Sequence, residues 1–325
     1  MRVKNQSTKK QFYMKSRKMT TALLAILVVS FSLTACKKTA SSSIKNTSDS
    51  AQIQSNDEAM ANKETDDVTN DATGAVEGTG GSFAARPDSA SPIFAFFPCD
   101  ASITFDTTTT PTRSIVITYN GINCSGTRTR TGSVTISFSD TLHWRNAGDT
   151  ITITYNNLKI TRIADGKTLL INGSVTYKNV SGGLLVNLSG ANQITHSIYG
   201  NLNLTFDNTA QASWTISKQR VFANVGGSFV INTTNGLQSS FAVEGINRYG
   251  NAFTASITEP LVIEQACEFR LVGGQILYTG PNATVTTTFG LNASGNTEVA
   301  CPIGFFYYKQ TWLIAGKTYT FIGPY

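Results

Sequence analysis

Histidine is almost missing from this chain, with two in 325 residues, His143 and His196. No Gly-x-Ser-x-Gly elbow occurs, so the sequence offers no strand-to-helix serine nucleophile. No Cys-x-x-Cys occurs either. With five cysteines in all and two histidines, a zinc site lacks ligand-like spacing, and no metal or cofactor is expected. The two Gly-Lys-Thr triplets, at Gly166 and Gly316, lack the glycine that a phosphate-cradling loop places five residues earlier. Thr161 and Thr311 stand there, so both triplets read as hairpin turns. Acidic residues are absent from the first 35 positions, whereas Arg2, Lys4, Lys9, Lys10, Lys15, Arg17 and Lys18 are all basic. The net charge of +6 therefore belongs to that leader, and the rest of the chain is close to neutral. Nucleic acid, which needs a basic face, is not an expected partner.

What is present begins with an address. The uncharged run from Thr20 to Ala35 is shorter than the ~20 residues of a membrane-spanning helix and has the form of a signal-peptide apolar core. It ends Leu33-Thr34-Ala35-Cys36, which resembles the lipobox of bacterial lipoprotein precursors. The resemblance implies cleavage before Cys36 and lipidation of that cysteine, and two or more acyl chains anchor a protein stably. The partner implied is a membrane, reached through the lipid on Cys36. Lys37 and Lys38 follow, and the first acid is Asp49. Lipoproteins exported to the cell surface tend to carry acids there, so the expected location is the periplasmic face of the outer membrane.

Residues 36–91 carry few aromatic or long aliphatic side chains and read as a disordered tether. By the square-root law for flexible linkers its typical span is roughly 40 Å. From residue 92 the pattern changes to period two. Ser114-Ile-Val-Ile-Thr-Tyr119, Gly132-Ser-Val-Thr-Ile-Ser-Phe138, Asp149-Thr-Ile-Thr-Ile-Thr-Tyr155 and Gly200-Asn-Leu-Asn-Leu-Thr-Phe206 alternate apolar with hydroxyl or amide residues. Turn signals, among them Asn120-Gly121, Asp165-Gly166, Asn172-Gly173 and Asn235-Gly236, separate the runs. The expected fold class is all-β: an antiparallel meander over residues 92–325, closing as a sandwich or an open barrel-like sheet system. One continuous sheet system is favoured over two sandwiches divided near residue 200.

Cys99, Cys124, Cys267 and Cys301 form an even set in an exported chain and read as disulfides. Three pairings are open. Cys99–Cys124 and Cys267–Cys301 are preferred because each pair lies within two or three strands, and each loop is worth about 3 kcal/mol by chain entropy.

The chain also resembles the β-rich lipoproteins of Bacteroidota. The shared stretches are Cys99 before Ser102-Ile-Thr-Phe105, Gly121 to Cys124, Arg128-Thr-Arg-Thr-Gly-Ser-Val-Thr-Ile136, Leu261-Val262 ahead of Cys267, Gly273-Gly274, and Cys301. The resemblance implies a location and a fold class, and it carries no activity. The aromatic tail Phe305-Phe-Tyr-Tyr308 has no counterpart in that pattern.

Candidate sites are few. Trp144, Trp214 and Trp312 could stack on sugar rings if exposed, although tryptophan in a strand is more often core. Arg128 and Arg130 alternate with threonine and share one strand face, either an anion-binding strip or a solvent face. Scattered acids, Glu264 and Glu268 among them, read as solvated surface charge rather than as a glycosidase pair. The expected role is a non-catalytic binding or adhesion module for a glycan or another envelope component. The alternatives are a structural or assembly partner of an envelope protein and, behind it, a hydrolase.

Overall fold

In the computed structural model, the structure describes residues 35–77, 98–106, 108–207, 209–281, 283–314 and 316–325. The signal region before residue 35 and the part of the expected tether over residues 78–91 lie outside them. Among the described residues, fourteen strands follow one α-helix: α1 (Ala35–Glu77), β1 (Ala101–Asp106), β2 (Thr112–Ile122), β3 (Arg128–Ser139), β4 (Thr150–Arg162), β5 (Thr168–Asn179), β6 (Gln193–Phe206), β7 (Ala210–Val225), β8 (Ser228–Asn235), β9 (Val243–Ile246), β10 (Ala252–Glu264), β11 (Arg270–Thr279), β12 (Thr284–Leu291), β13 (Tyr307–Ile314) and β14 (Lys317–Pro324). Residues 47–325 pack as one unit.

All fourteen strands belong to one antiparallel sheet, and the pairing follows chain order as a meander from β1 to β14. One step departs from it. β8 and β9 both lie between β7 and β10, with β8 against residues 218–225 of β7 and β9 against residues 213–216. They act as one strand broken by the loop between Asn235 and Val243. This closes a ring of four pairings without making a barrel. β6 and β7 pair without interruption from Gln193–Ala223 to Phe206–Ala210, so there is no break near residue 200 and the sheet is continuous.

The period-two reading holds at the level of single side chains. Along β4, Ile151, Ile153, Tyr155, Leu158 and Ile160 are buried while Thr150, Thr152 and Lys159 face water. The parity changes between Tyr155 and Leu158 because a bulge at Asn157, in the left-handed region, inserts one residue. Gly132 of β3 sits opposite, where a Cβ would come within 2.2 Å of the Asn157 carbonyl oxygen. Asn172 accepts a hydrogen bond from the Asn157 amide at 2.8 Å. Asn120-Gly121 and Asn172-Gly173 are therefore not turns. They lie inside β2 and β5, and at Gly173 the missing Cβ permits close backbone approach, 2.4 Å from the Asn201 carbonyl oxygen to where it would stand.

The larger departure concerns the expected tether. Ala35–Glu77 is helical, and over residues 54–77 only Lys63 is exposed. The sheet curls around this part of α1. Tyr119 of β2, Arg130 of β3, Tyr177 of β5, Lys218 of β7, Thr287 of β12 and Gln310 of β13 all hydrogen-bond to it. Disorder would follow if a segment could order itself only by burying its own apolar surface. Here the apolar side chains that α1 buries are Ala61, Val68, Ala72, Ala75 and Val76, most of them alanine, and polar partners supplied by the sheet do the rest. Thr65, Thr69 and Thr73 donate to carbonyls about one turn back at 3.0, 2.8 and 2.7 Å. Their hydroxyls are thus satisfied inside the enclosure.

Candidate functional site: the charged interior of the sheet

Residues 50–77 hold seven carboxylates and one lysine, and five of the carboxylates, Asp57, Glu64, Asp66, Asp67 and Asp71, pair with cations supplied by the strands and the turn after β9. Arg128 of β3 binds Glu64 through Nε at 3.0 Å and also holds Asp67. Arg130, two residues on and on the same face, donates from Nη1 to Asp71 at 2.9 Å. Its Nε and Nη2 grip both oxygens of Asp100 at 2.7 and 2.5 Å, and its guanidinium lies 4.3 Å from the Tyr119 ring centre. Tyr119 donates to the same Asp71 oxygen at 2.8 Å. Lys218 of β7 reaches Asp66 at 2.9 Å. Arg248, in the turn after β9, donates to Asp57 at 2.7 Å and to Asp207 at 3.0 Å. A cavity of about 10 Å³ lies between Thr65, Asp66 and Thr69 of α1 and Tyr155 and Lys218 of the sheet. It has room for a single water.

One cation differs. Arg220 of β7 is fully buried and donates from Nη2 to the amide oxygen of Asn70 at 2.7 Å. Its Nε and Nη1 meet no partner among the described residues, and no carboxylate forms an ion pair with it there. Beside it His196 is fully buried, its Nδ1 2.6 Å from the Tyr177 hydroxyl. Burial and the Arg220 charge push His196 down to about 3, so the ring is neutral.

Burial acts on the carboxylates in the other direction. It raises Asp57 to about 7 against the pull of Arg248, and Glu58 to about 7 against the charge of Lys218. Asp71 rises to about 7 despite Arg130 and Tyr119. Glu77 rises to about 8, although it accepts from the Leu185 amide at 2.6 Å. Glu64 is raised by burial too. Asp67 goes the opposite way: burial works to raise it, but Lys63 and Arg128 together hold it below its ordinary value.

The tryptophans lie elsewhere than a stacking platform needs. Trp144 is fully buried, its ring 5.5 Å from Tyr177 and 5.3 Å from His196. Trp214, also buried, packs edge-on to Phe253 at 5.5 Å. Trp312 stacks on Tyr319 at 6.1 Å and is buried as well. The cysteines pair as Cys99–Cys124 and Cys267–Cys301, with Cα atoms 5.6 and 5.3 Å apart. Cys36 lies at the start of α1, and its side chain is outside what is described. His143 is exposed, with Nδ1 2.8 Å from the Thr141 carbonyl oxygen, so the two histidines occupy unlike settings. Among the described residues no three His, Cys, Asp or Glu side chains gather as a metal site.

The charged interior went unread in the sequence, yet a signal for it exists. Arg128 and Arg130 share the period-two parity of Val134, Ile136 and Phe138, all buried. Lys218 and Arg220 share that of Trp214, Ile216 and Phe222. Cations on the buried parity of two strands call for polar partners inside, and apart from Asp100 the acid-rich segment before residue 78 supplies them, as carboxylates to Arg128, Arg130 and Lys218 and as an amide to Arg220.

Compared with known protein families, curated proteins and solved structures, the chain matches none.

Proposed function

We propose that the protein is a lipid-anchored lipoprotein of the outer membrane, on its periplasmic face, acting as a non-catalytic binding module whose partner is another envelope protein. The lipobox at Cys36 and the two disulfides support the location. A glycan loses ground as partner, because all three tryptophans are buried and the inner face of the sheet is filled by α1.

The observation that carries the reading is the segment between β12 and β13. The relative exposures of Val299, Ile303 and Phe305 are 93%, 110% and 62%. Three large apolar side chains exposed within seven residues are what a protein contact would cover. The segment is held firmly. Cys301 is tied to Cys267, and Arg270 donates to the carbonyls of Cys267, Pro302 and Gly304 at 3.0, 2.9 and 2.7 Å. Phe306, next in sequence, is buried under the Arg270 guanidinium at 5.0 Å. A backbone held in place before binding has less entropy to lose on association, which suits a protein contact.

A photo-crosslinking residue at position 305 in cells, compared with one at the outward position 152 of β4, tests this. A discrete protein adduct at 305 and none at 152 is expected, and it should vanish when Val299 and Ile303 become serine. Adducts of lipid alone at 305, or equal labelling at both positions, would overturn the assignment of a protein partner.

A further inference from the structure

We propose that the inner face of the sheet is a binding site for an acidic helical segment, that the chain's own α1 occupies it in this structure, and that a segment of the same chemistry from another polypeptide can take its place.

The site is specific in its charges. Arg128, Arg130, Lys218 and Arg248 each hold a carboxylate of α1, and Arg220 holds an amide. These groups come from β3, β7 and the turn after β9, so the strip of positive charge runs across the sheet rather than along one strand. The far end is polar and uncharged, where Ser55 meets Thr287 at 3.0 Å and Gln310 at 2.7 Å. A ligand matching this surface is helical, carries acids at four-residue spacing as Asp67 and Asp71 do, and has small residues between them.

The occupant is held in a way that permits exchange. Thr, Asn, Asp and Gly74 give residues 50–77 low helix propensity, so the helix depends on its enclosure. Its own buried apolar side chains are mostly alanine, so the helix itself brings little hydrophobic surface to the contact. The strands around it are tied to one another by continuous ladders and do not need α1 to complete their pairing. Arg220, with two donors unused, is a position where a carboxylate in place of Asn70 would bind better than the present amide. At that one position the site fits a carboxylate better than its resident amide. It lies wholly in the interior and is independent of the partner assigned to the loop at Phe305.

The test uses the whole mature chain and a fluorescent peptide of residues 50–77 as the probe. Ser55→Cys with Thr287→Cys places two sulfurs where the hydroxyl oxygens are 3.0 Å apart, so a disulfide locks α1 in place. Ser55→Cys alone is the unlocked control, and circular dichroism verifies that both are folded. Saturable binding to the wild type and to the single variant, weakened about ten-fold or more in the locked protein, is expected. A peptide with Asp66, Asp67 and Asp71 changed to asparagine should bind several-fold more weakly, and an Asn70→Asp peptide more tightly. Equal binding to locked and unlocked protein would overturn the interior as the site. So would no binding to the unlocked protein, or hydrogen exchange in α1 as slow as in β4 to β7.

Discussion

Strand β4 and residues 47–77 of helix α1 are both rich in threonine and asparagine and belong to the same unit, but they are buried by opposite means. β4 turns its isoleucines and Tyr155 inward and leaves its threonines to water. α1 brings its acids, threonines and asparagines inward, where arginines, a lysine and hydroxyls of the strands meet them. The strand is held by removal of apolar surface, which has no directional demand. The helix is held by matched charges, where each partner is costly to bury and worth keeping only while the other is present. Stability in the sheet is therefore diffuse, and in the helix it is concentrated in a few pairs.

The largest expected effect comes from removing the buried cation shared by Asp71 of α1 and Asp100. Arg130→Ala leaves Asp100, whose side chain is fully buried, and Asp71 without their shared guanidinium. About 3–5 kcal/mol of stability should be lost in urea denaturation. Hydrogen exchange divides the loss: α1 should exchange much faster, while the ladder of β5, β6 and β7 keeps its protection. If both loosen equally, the helix and sheet are one cooperative unit and the contrast between them fails.

A pH titration should pull the two regions in opposite directions. In α1 burial raises Asp57 and Asp71 from 3.8, and Glu58 and Glu77 from 4.5, to about 7 or 8. A carboxyl raised in the folded state contributes stability that is present below its unfolded value and is lost as pH rises through the folded one. Asp57 faces Arg248, Asp207 and Lys167, Glu58 faces Lys218 and Asp66, and Asp71 faces Arg130, Tyr119 and Asp67. Glu77 faces the Leu185 and Val186 amides and Trp144. Docking of α1 should thus weaken between about pH 4 and 8. His196 on β6, faced by Arg220, is depressed from 6.5 to about 3. A histidine held neutral contributes stability that is present above 6.5 and is lost as pH falls towards 3. Exchange corrected for its intrinsic pH dependence should show α1 loosening above about pH 7 and the strands around His196 loosening below about pH 5. Movement of both regions in the same direction would remove the distinction.

How much of this was legible in the sequence follows from the same contrast. Alternation exposed the strands because water on one face and core on the other leave a period of two in β4, β6 and β7. The disulfide pairs followed from proximity along the meander. α1 gave no signal of that kind. A helix with one wet face carries a strong apolar stripe, but over residues 54–77 all but Lys63 are buried or half-buried and most of the contacts are polar, so the apolar signal is reduced to a few alanines and valines. Its presence was written on the other side of the contact, in Arg128, Arg130, Lys218 and Arg220 at inward parity. Reading a polar segment alone, rather than against the strands that must balance it, turned a buried helix into a tether.

The smallest expected effect sharpens the comparison from within α1. Lys63 pairs with Asp67 at 3.0 Å, one helical turn away, and its side chain is about half exposed. Asp67 is also held by Arg128, so deleting the lysine leaves the carboxylate a partner on the sheet side. An exposed pair of this kind is worth about 0.3–0.5 kcal/mol and is screened by salt. Lys63→Ala should shift the urea midpoint hardly at all, and the small shift should disappear at about 0.5 M salt. Its contrast with Arg130→Ala sets a half-exposed cation, whose loss water can repair, against a buried one that holds Asp71 and Asp100 where water cannot. A loss approaching that of Arg130→Ala would mean that net charge on α1, rather than the buried partner of each acid, holds the helix inside the sheet.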